Sequence, residues 1–258
     1  MIHPLTHIDA SAKIAENVNI DPFTSIHKNV EIGLGTWIGS NVTIMEGARI
    51  GENCRIFPGA VISAIPQDLK FEGEDSLVII GDNTTIRECV TINRGTKASG
   101  KTMIGSDCLI MAYAHIAHDC RVGNNCIIVN NVALGGHVLI GNYAILGGLS
   151  AIHQFVSIGE HAMISGGSLV RKDVPPYVKV AKEPLRFVGI NALGLRRREF
   201  SPKKITEIQE IYRQVFQNNN NITQALKIIK SEFNTSDERE LIIDFIEQSD
   251  RGIVKKQI

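Results

Sequence analysis

The residue types best suited to acid–base chemistry are concentrated in the segment AHIAHDC. His118 stands beside Asp119 and three residues after His115. A neutral imidazole can take a proton from a hydroxyl near pH 7, and a positioned base of this kind contributes about 10²- to 10⁴-fold in rate. A solvated surface histidine would give the same local pattern, so this segment alone leaves both interpretations open.

Two further features could contribute to such a site. The segment LGGHV contains Gly136 and His137; glycine allows close backbone approach, and an exposed backbone N–H can stabilise an oxyanion. Three consecutive arginines, at 196–198, could bind phosphates, although a solvated charge run explains them equally well. Taken alone, neither the glycine segment nor the arginine run indicates an active site.

A six-residue repeat runs through the sequence on both sides of the AHIAHDC and LGGHV segments. Aliphatic residues recur at every sixth position from 8 to 62, from 80 to 92 and from 104 to 170. A period of six fits neither an α-helix nor a simple strand, but it fits a short strand followed by a corner. Three such units close a triangular coil of about 18 residues. We therefore predict a parallel β-helix over about residues 8–175.

The other positions of the repeat support this interpretation. Asparagine recurs three positions after the aliphatic residue, which predicts left-handed corners at residues 17, 29, 41, 53, 83 and 125. Small or β-branched residues stand four positions after it, and Cys54, Cys108, Cys120 and Cys126 share this slot. We therefore expect these cysteines to be plain buried thiols.

Two stretches interrupt the repeat without shifting its phase. Residues 66–77 and 97–103 lack hexads, as loops extruded from a continuing solenoid would. Such loops often carry the binding function of a repeat protein. Since a solenoid interior is packed, we expect chemistry outside the prism, where His115, His118, His137 and His153 all avoid the inward slots.

After residue 176 the hexads stop and helical patterns begin. Ser201 can cap a helix whose first position is Pro202. Two amphipathic segments follow, at about 222–233 and 237–249, the second led by a possible capping box from Thr235 to Glu238. The predicted fold is mainly β, with a β-helix over residues 1–183 and an α-helical C-terminal domain over 184–258.

Composition excludes several classes of protein. The 27 basic residues balance the 27 acidic ones, so no global field draws the chain to nucleic acid or an anionic membrane. The five cysteines include no CxxC pair, so neither a disulfide framework nor a cysteine-based zinc site is expected. No signal peptide pattern and no stretch of roughly 20 apolar residues occurs, so we expect a cytoplasmic protein.

Several motifs together resemble a known family: IPQDLKF, IRECVTINRGT, AHIAHDC, GGHV, AIHQF, DVPPYV and GLRRREF. In this order and spacing they are similar to the UDP-N-acetylglucosamine O-acyltransferases that begin lipid A synthesis in Gram-negative bacteria. Hexads alone would indicate only the wider hexapeptide-repeat acyltransferase superfamily. The resemblance covers essentially the whole chain and implies a left-handed β-helix assembled as a homotrimer, with active sites between adjacent subunits.

The resemblance also implies a reaction and residue roles. An (R)-3-hydroxyacyl group would pass from acyl carrier protein to the 3-hydroxyl of UDP-N-acetylglucosamine. His118 would be the general base, Asp119 would orient it, and the N–H of Gly136 would hold the oxyanion. Substrate contacts are implied for Gln67, Asp68, Lys70, His115, His137, His153, Gln154, Asn191, Arg197 and Arg198. A thioester is already activated, so no metal or redox cofactor is expected.

By the same resemblance, Met163 and Gly166 match positions that measure the acyl chain. Each buried methylene is worth about 0.8 kcal/mol, so glycine at 166 predicts a chain of roughly fourteen carbons rather than ten. Two residues depart from the family pattern: Asn93 stands where histidine is common, and Leu193 replaces a residue that is often acidic. These departures leave the fine substrate contacts open.

Three alternatives remain. A sister sugar N-acyltransferase shares the hexads and the base but has an added N-terminal domain, whereas hexads here begin by Ile8. A zinc enzyme of the carbonic anhydrase type binds metal through three histidines on this scaffold, for which His115, His118 and His137 are candidates. A non-catalytic scaffold is disfavoured because the polar motifs cluster in two or three coils.

Overall fold

The computed structural model describes residues 1–216 and 221–256, and from His7 onward the chain winds into a prism of three sheets. Sheet 1 contains β1 His7–Ile8, β4 Ser25–Ile26, β7 Thr43–Ile44, β10 Val61–Ala64, β13 Thr91–Asn93, β16 His115–Ile116, β19 Ala133–Leu134, β22 Ala151–Ile152 and β25 Leu169–Val170. Sheet 2 contains β2 Lys13–Ile14, β5 Glu31–Ile32, β8 Ala48–Ile50, β11 Leu77–Ile80, β14 Lys101–Ile104, β17 Arg121–Val122, β20 Leu139–Ile140 and β23 Ser157–Ile158.

Sheet 3 closes the prism and continues beyond it. Its strands are β3 Asn19–Ile20, β6 Trp37–Ile38, β9 Arg55–Ile56, β12 Thr85–Ile86, β15 Leu109–Ile110, β18 Ile127–Ile128, β21 Ile145–Leu146, β24 Met163–Ile164, β26 Val178–Ala181, β27 Arg186–Ile190 and β28 Lys255–Lys256. Strands within the prism pair in parallel with the coils above and below, as Ile116 pairs with Ile92 and Leu134. The predicted parallel β-helix is therefore confirmed.

Stacking in register explains why the repeat is strict. The aliphatic residue of each hexad points inward, and Ile92, Ile116 and Leu134 are almost completely buried on top of one another. The six corner asparagines all have φ between 52° and 58°, as predicted. The four cysteines of the small-residue slot are buried, and burial raises the pKa of Cys120 to about 12.

Both predicted interruptions leave the prism at the edge between sheets 1 and 2. The first loop, residues 65–76, joins β10 to β11, and the second loop, residues 94–100, joins β13 to β14. The second loop has the predicted length but begins three residues earlier than predicted. Residues 101–103 break the aliphatic pattern, yet their backbone pairs with residues 77–79 as strand β14.

The C-terminal region begins with a strand, although residues from 184 onward were predicted as helical. Strand β27 pairs antiparallel with β26, and β28 pairs with β27. The helices are α1 Ala192–Arg197, α2 Pro202–Phe216, α3 Ile222–Glu232 and α4 Asp237–Glu247. Helix α2 starts at Pro202 as predicted, whereas α4 is capped by Ser236, which accepts from the Arg239 N–H, and not by Thr235.

Helix α2 packs its apolar face against the end of the prism. Ile208 and Tyr212 are buried, and the Tyr212 hydroxyl donates to the Pro176 carbonyl at 2.6 Å. The helical region thus covers apolar surface at the end of the prism. None of the helices formed by the described residues is both long and apolar enough to cross a bilayer.

Candidate active site

One edge of the prism, between sheets 1 and 2, carries most of the predicted site residues. The two loops leave from this edge, and the corners at residues 117–120, 135–138 and 153–156 follow in the next three coils. Asp119, His137 and Phe155 occupy the left-handed corner position, with φ of 60°, 62° and 63°. The His137 N–H donates to the His118 carbonyl, and the Phe155 N–H donates to the Gly136 carbonyl, both at 3.0 Å. The repeat thereby stacks these corners directly over one another.

His118 and Asp119 form a hydrogen-bonded pair. Nδ1 of His118 lies 2.8 Å from Oδ2 of Asp119, whose side chain is fully buried while that of His118 is 13% exposed. The Asp119 carboxylate also accepts from the N–H and hydroxyl of Thr96 and from the hydroxyl of Ser99. Burial alone would raise the pKa of Asp119, but the hydrogen bonds outweigh it and the pKa is lowered.

These contacts determine which nitrogen of His118 is available. An ionised carboxylate can only accept hydrogen bonds, so Nδ1 of His118 must carry the proton that it shares with Asp119. In the neutral ring, Nε2 then has the free lone pair. The pair therefore presents a base at Nε2.

Gly136 places an unused backbone donor beside this base. A Cβ atom at this position would lie 2.7 Å from both Cε1 and Nε2 of His118, so only glycine allows the observed packing. Within residues 1–216 and 221–256, the Gly136 N–H meets no hydrogen-bond acceptor. A free N–H next to a base is suited to hold an oxyanion that forms during attack on a carbonyl.

His137 and His115 flank the pair. The His137 ring stacks on Phe155 at 4.5 Å between centroids and meets the His118 ring edge-on at 5.1 Å. Nδ1 of His115 lies 2.7 Å from Oγ1 of Thr91. Burial, and then the proximity of His118, lowers the pKa of His115. A neutral His115 is therefore favoured beside the base.

The zinc alternative requires three clustered histidines, and the geometry offers a different set. In the described part of the chain, the metal-type donors within 4.8 Å of one another belong to His118, Asp119 and His137. His115 instead bonds to Thr91. The Asp119 carboxylate already accepts several protein hydrogen bonds. A hydrogen-bond network explains this cluster more directly than a metal site.

The first loop presents predicted sugar-nucleotide residues at the same edge. Asp68 accepts from the Lys70 N–H at 3.0 Å, which makes a tight turn, and the side chains of Gln67 and Lys70 are exposed. Asn93 is buried and donates to the Ile65 carbonyl at 3.1 Å. Asn93 thus fixes the first residue of this loop, where the chain leaves the prism.

His153 and Gln154 lie at the same edge in the third of these coils. Both are exposed, and Nδ1 of His153 is 3.1 Å from the Gln154 carbonyl and 3.3 Å from Nη2 of Arg251. The C-terminal segment that carries Arg251 therefore reaches this end of the edge. Both residues are therefore exposed at the edge that carries His118, and their role in substrate binding stays a prediction.

Other predicted site residues lie elsewhere in the same chain. Asn191 and Arg198 are at the edge between sheets 2 and 3, where Nη2 of Arg198 donates to the Tyr143 carbonyl at 3.0 Å. The buried Asn191 side chain accepts from the Gly194 N–H as the cap of α1 and donates to the His161 carbonyl. Arg197 and Leu193 are exposed nearby, Met163 lies on sheet 3, and Gly166 lies between sheets 3 and 1. One chain does not bring these residues to His118.

Two residues that contact Asp119 were not predicted from the sequence. Thr96 and Ser99 both donate to Asp119 from the second loop. Thr96 belongs to the RGT motif but carries no positional signal of its own, and Ser99 lies outside the hexads. Their contacts depend on the path of the loop, which the repeat does not specify.

Comparison with known proteins agrees with these features. Residues 173–254 match the family described as UDP-N-acetylglucosamine O-acyltransferase, domain 2. Residues 29–64 and 101–136 match the bacterial transferase hexapeptide family.

Individual relatives extend this agreement. An acyl-[acyl-carrier-protein]–UDP-N-acetylglucosamine O-acyltransferase from Xylella fastidiosa is 44% identical over 196 residues, 75% of this chain and 74% of the relative. The corresponding protein of Myxococcus xanthus is 42% identical over 195 residues, 75% of this chain and 76% of the relative. A crystal structure of a UDP-N-acetylglucosamine acyltransferase from Bacteroides fragilis aligns with a TM-score of 0.98 at 48% identity, covering 99% of this chain and 100% of the other. Sequence and structure therefore agree that this chain belongs to the UDP-N-acetylglucosamine O-acyltransferase family.

Proposed function

We propose that this protein transfers an (R)-3-hydroxyacyl group from acyl carrier protein to the 3-hydroxyl of UDP-N-acetylglucosamine, the first step of lipid A synthesis, in the cytoplasm. The observation that carries the proposal is the His118–Asp119 pair packed against the unused N–H of Gly136. A base and an oxyanion donor side by side are what acyl transfer from a thioester requires. The names of the relatives include the acyl carrier protein and UDP-N-acetylglucosamine. The (R)-3-hydroxyacyl chain and the sugar 3-hydroxyl are what the family resemblance implies.

The chemistry follows from these three residues. Nε2 of His118 removes the proton of the sugar hydroxyl while that oxygen attacks the thioester carbonyl. The carbonyl oxygen becomes negative and accepts a hydrogen bond from the Gly136 N–H. Collapse of the tetrahedral intermediate forms the ester and expels the carrier thiolate, which takes the proton back from the imidazolium. Asp119 stabilises that imidazolium while it exists.

Substrate contacts extend along the same edge. In this proposal Gln67, Asp68 and Lys70 bind the sugar nucleotide from the first loop, and the cleft is lined by His115, His137, His153 and Gln154. Asn191, Arg197 and Arg198 lie at another edge of the chain. They would complete the site from a neighbouring subunit of a homotrimer, where guanidinium groups suit phosphates.

The proposal is tested by incubating the purified protein with UDP-N-acetylglucosamine and several (R)-3-hydroxyacyl carrier proteins, then identifying products by mass spectrometry. We expect one acyl chain on the sugar 3-hydroxyl. His118→Ala should reduce transfer at least about a hundredfold, the typical worth of a general base. His27→Ala is a matched control because His27 is exposed at the same prism edge in an early coil. Equal activity of His118→Ala and the control would contradict the role of His118.

The same assay separates the alternatives. A sister N-acyltransferase would acylate an amine on a sugar that already bears one chain, and it would leave UDP-N-acetylglucosamine unchanged. A zinc hydratase would contain stoichiometric zinc, require it for activity and hydrate carbon dioxide. Metal analysis of the purified protein, with activity measured before and after chelation, distinguishes this case from metal-independent acyl transfer.

A further inference from the structure

The second loop contacts the His118–Asp119 pair on one side and the first loop on the other. On the side of the base, Thr96 donates to Asp119 through its N–H and, at 2.8 Å, through its hydroxyl. Ser99 donates through its hydroxyl to the other carboxylate oxygen of Asp119. The carboxylate that orients His118 is therefore held mainly by one short loop.

The opposite side of the second loop holds the first loop at several points. The Lys97 N–H donates to Oε1 of Glu74 at 3.0 Å, and the Arg94 guanidinium lies over the Phe71 ring at 5.4 Å. The Arg94 N–H donates to the Ala64 carbonyl at 2.9 Å, where the first loop leaves the prism. Movement of the first loop would therefore be transmitted to the residues that hold Asp119.

We propose that the second loop is a positioning element that fixes Asp119 and the first loop together, with Thr96 and Ser99 as positioning residues for the base. This inference rests on the proposed function. The first loop carries the residues proposed to bind the sugar nucleotide. Binding of that substrate would thus order the loop contacts that keep Nδ1 of His118 bonded to Asp119.

Ser99→Ala provides the first test. Removing one charge-assisted hydrogen bond should lower kcat about three- to tenfold, with little change in KM. With fewer donors sharing the charge of Asp119, the His118 imidazole becomes easier to protonate. The acidic limb of the kcat/KM profile should therefore move to higher pH. The titratable groups that face His118 are Asp119, His137 and His115, and none of them is altered in this variant.

Two further variants control this test. Ser99→Thr keeps the hydroxyl and should restore the wild-type profile. Ser11→Ala removes a similar hydroxyl-to-carboxylate bond, to Asp9, at the same edge of the first coil, and should change nothing. A loss of activity in Ser99→Ala without movement of the acidic limb would indicate a merely structural role and would overturn the inference. So would an unchanged Ser99→Ala enzyme.

The link between the loops is tested with Glu74→Ala. This variant should raise KM for UDP-N-acetylglucosamine, and the double variant with Ser99→Ala should lose less activity than the product of the two single losses. Multiplicative losses would show that the loops act independently. NMR titration of the His118 ring in wild type and Ser99→Ala needs no turnover. It therefore tests the positioning role even if the wild-type protein transfers no acyl group and the proposed function fails.

Discussion

A methyl group at position 136 would lie 2.7 Å from Nε2 of His118, because the Gly136 backbone packs directly against the imidazole. Gly136→Ala keeps the N–H but forces the ring or the backbone to move. We expect kcat to fall about a hundredfold, comparable with the loss of an oxyanion-hole donor. Steady-state kinetics measure the effect, and an unchanged thermal midpoint would show that the fold is intact. Activity within a factor of two of wild type would contradict the geometric role of glycine.

Asp119→Asn tests the choice of His118 tautomer. The amide can present its N–H₂ to Nδ1, which then accepts a hydrogen bond and leaves the proton on Nε2. We expect kcat to fall by a factor of about 10³ to 10⁴, as when the aspartate of a catalytic triad is replaced by asparagine. Measurement of kcat between pH 6 and pH 9 should show no recovery at any pH, since a higher pH does not restore the carboxylate. Near-normal activity would show that Asp119 does not orient the base.

The sequence predicted the prism and most of the residues that stack at the edge between sheets 1 and 2, because both follow from the repeat. Asp119 and His137 occupy the corner position three residues after Ile116 and Leu134, so the hexad phase alone stacks them in successive coils. The loops were located by the loss of hexads. In each case the prediction depends on the position of a residue within a regular coil, or on the absence of that regularity, and both can be read from the sequence.

Contacts outside the repeat could not be predicted in this way. Ser99 reaches Asp119 because of the path taken by the second loop, and Asn93 faces the Ile65 carbonyl because it lies at the base of the first. Strand β27 returns antiparallel along β26, although its sequence carries no hexad. These features depend on the tertiary fold and leave no periodic pattern in the sequence.

Chain-length selection provides a test of the proposed acyl groove. A Cβ at Gly166 would lie 3.0 Å from the Gly148 carbonyl oxygen, a tight contact, so any side chain here adds volume where glycine leaves space. Gly166→Leu should shorten the preferred acyl chain from the roughly fourteen carbons proposed for wild type, since each methylene excluded from the groove costs about 0.8 kcal/mol. Competition between carrier proteins of graded chain length measures the preference. Faster transfer of ten carbons than of fourteen by the wild-type protein would refute the proposal.

His161 predicts how stability depends on pH. His161 is 7% exposed, and its ring lies between Tyr143 and Tyr177, with ring centroids 4.8 Å and 5.5 Å away. Burial, and then the charge of Arg198, lowers the pKa of His161 from 6.5 to about 4. The unfolded chain therefore binds a proton at a higher pH than the folded protein does. This stabilising contribution is complete above pH 6.5 and is lost as the pH falls towards 4, by at most about 3 kcal/mol.

His161→Phe should remove this pH dependence while retaining the aromatic stack. Denaturant unfolding at several pH values between 4 and 7.5 measures the slope, at fixed protein concentration because association also contributes to stability. The His27→Ala variant should keep the wild-type slope, since it removes an exposed residue and leaves the aromatic stack unchanged. Parallel stability curves for wild type and His161→Phe would show that His161 is not held neutral by its surroundings. A smaller slope only in His161→Phe assigns the acid sensitivity to the aromatic stack at the edge between sheets 2 and 3.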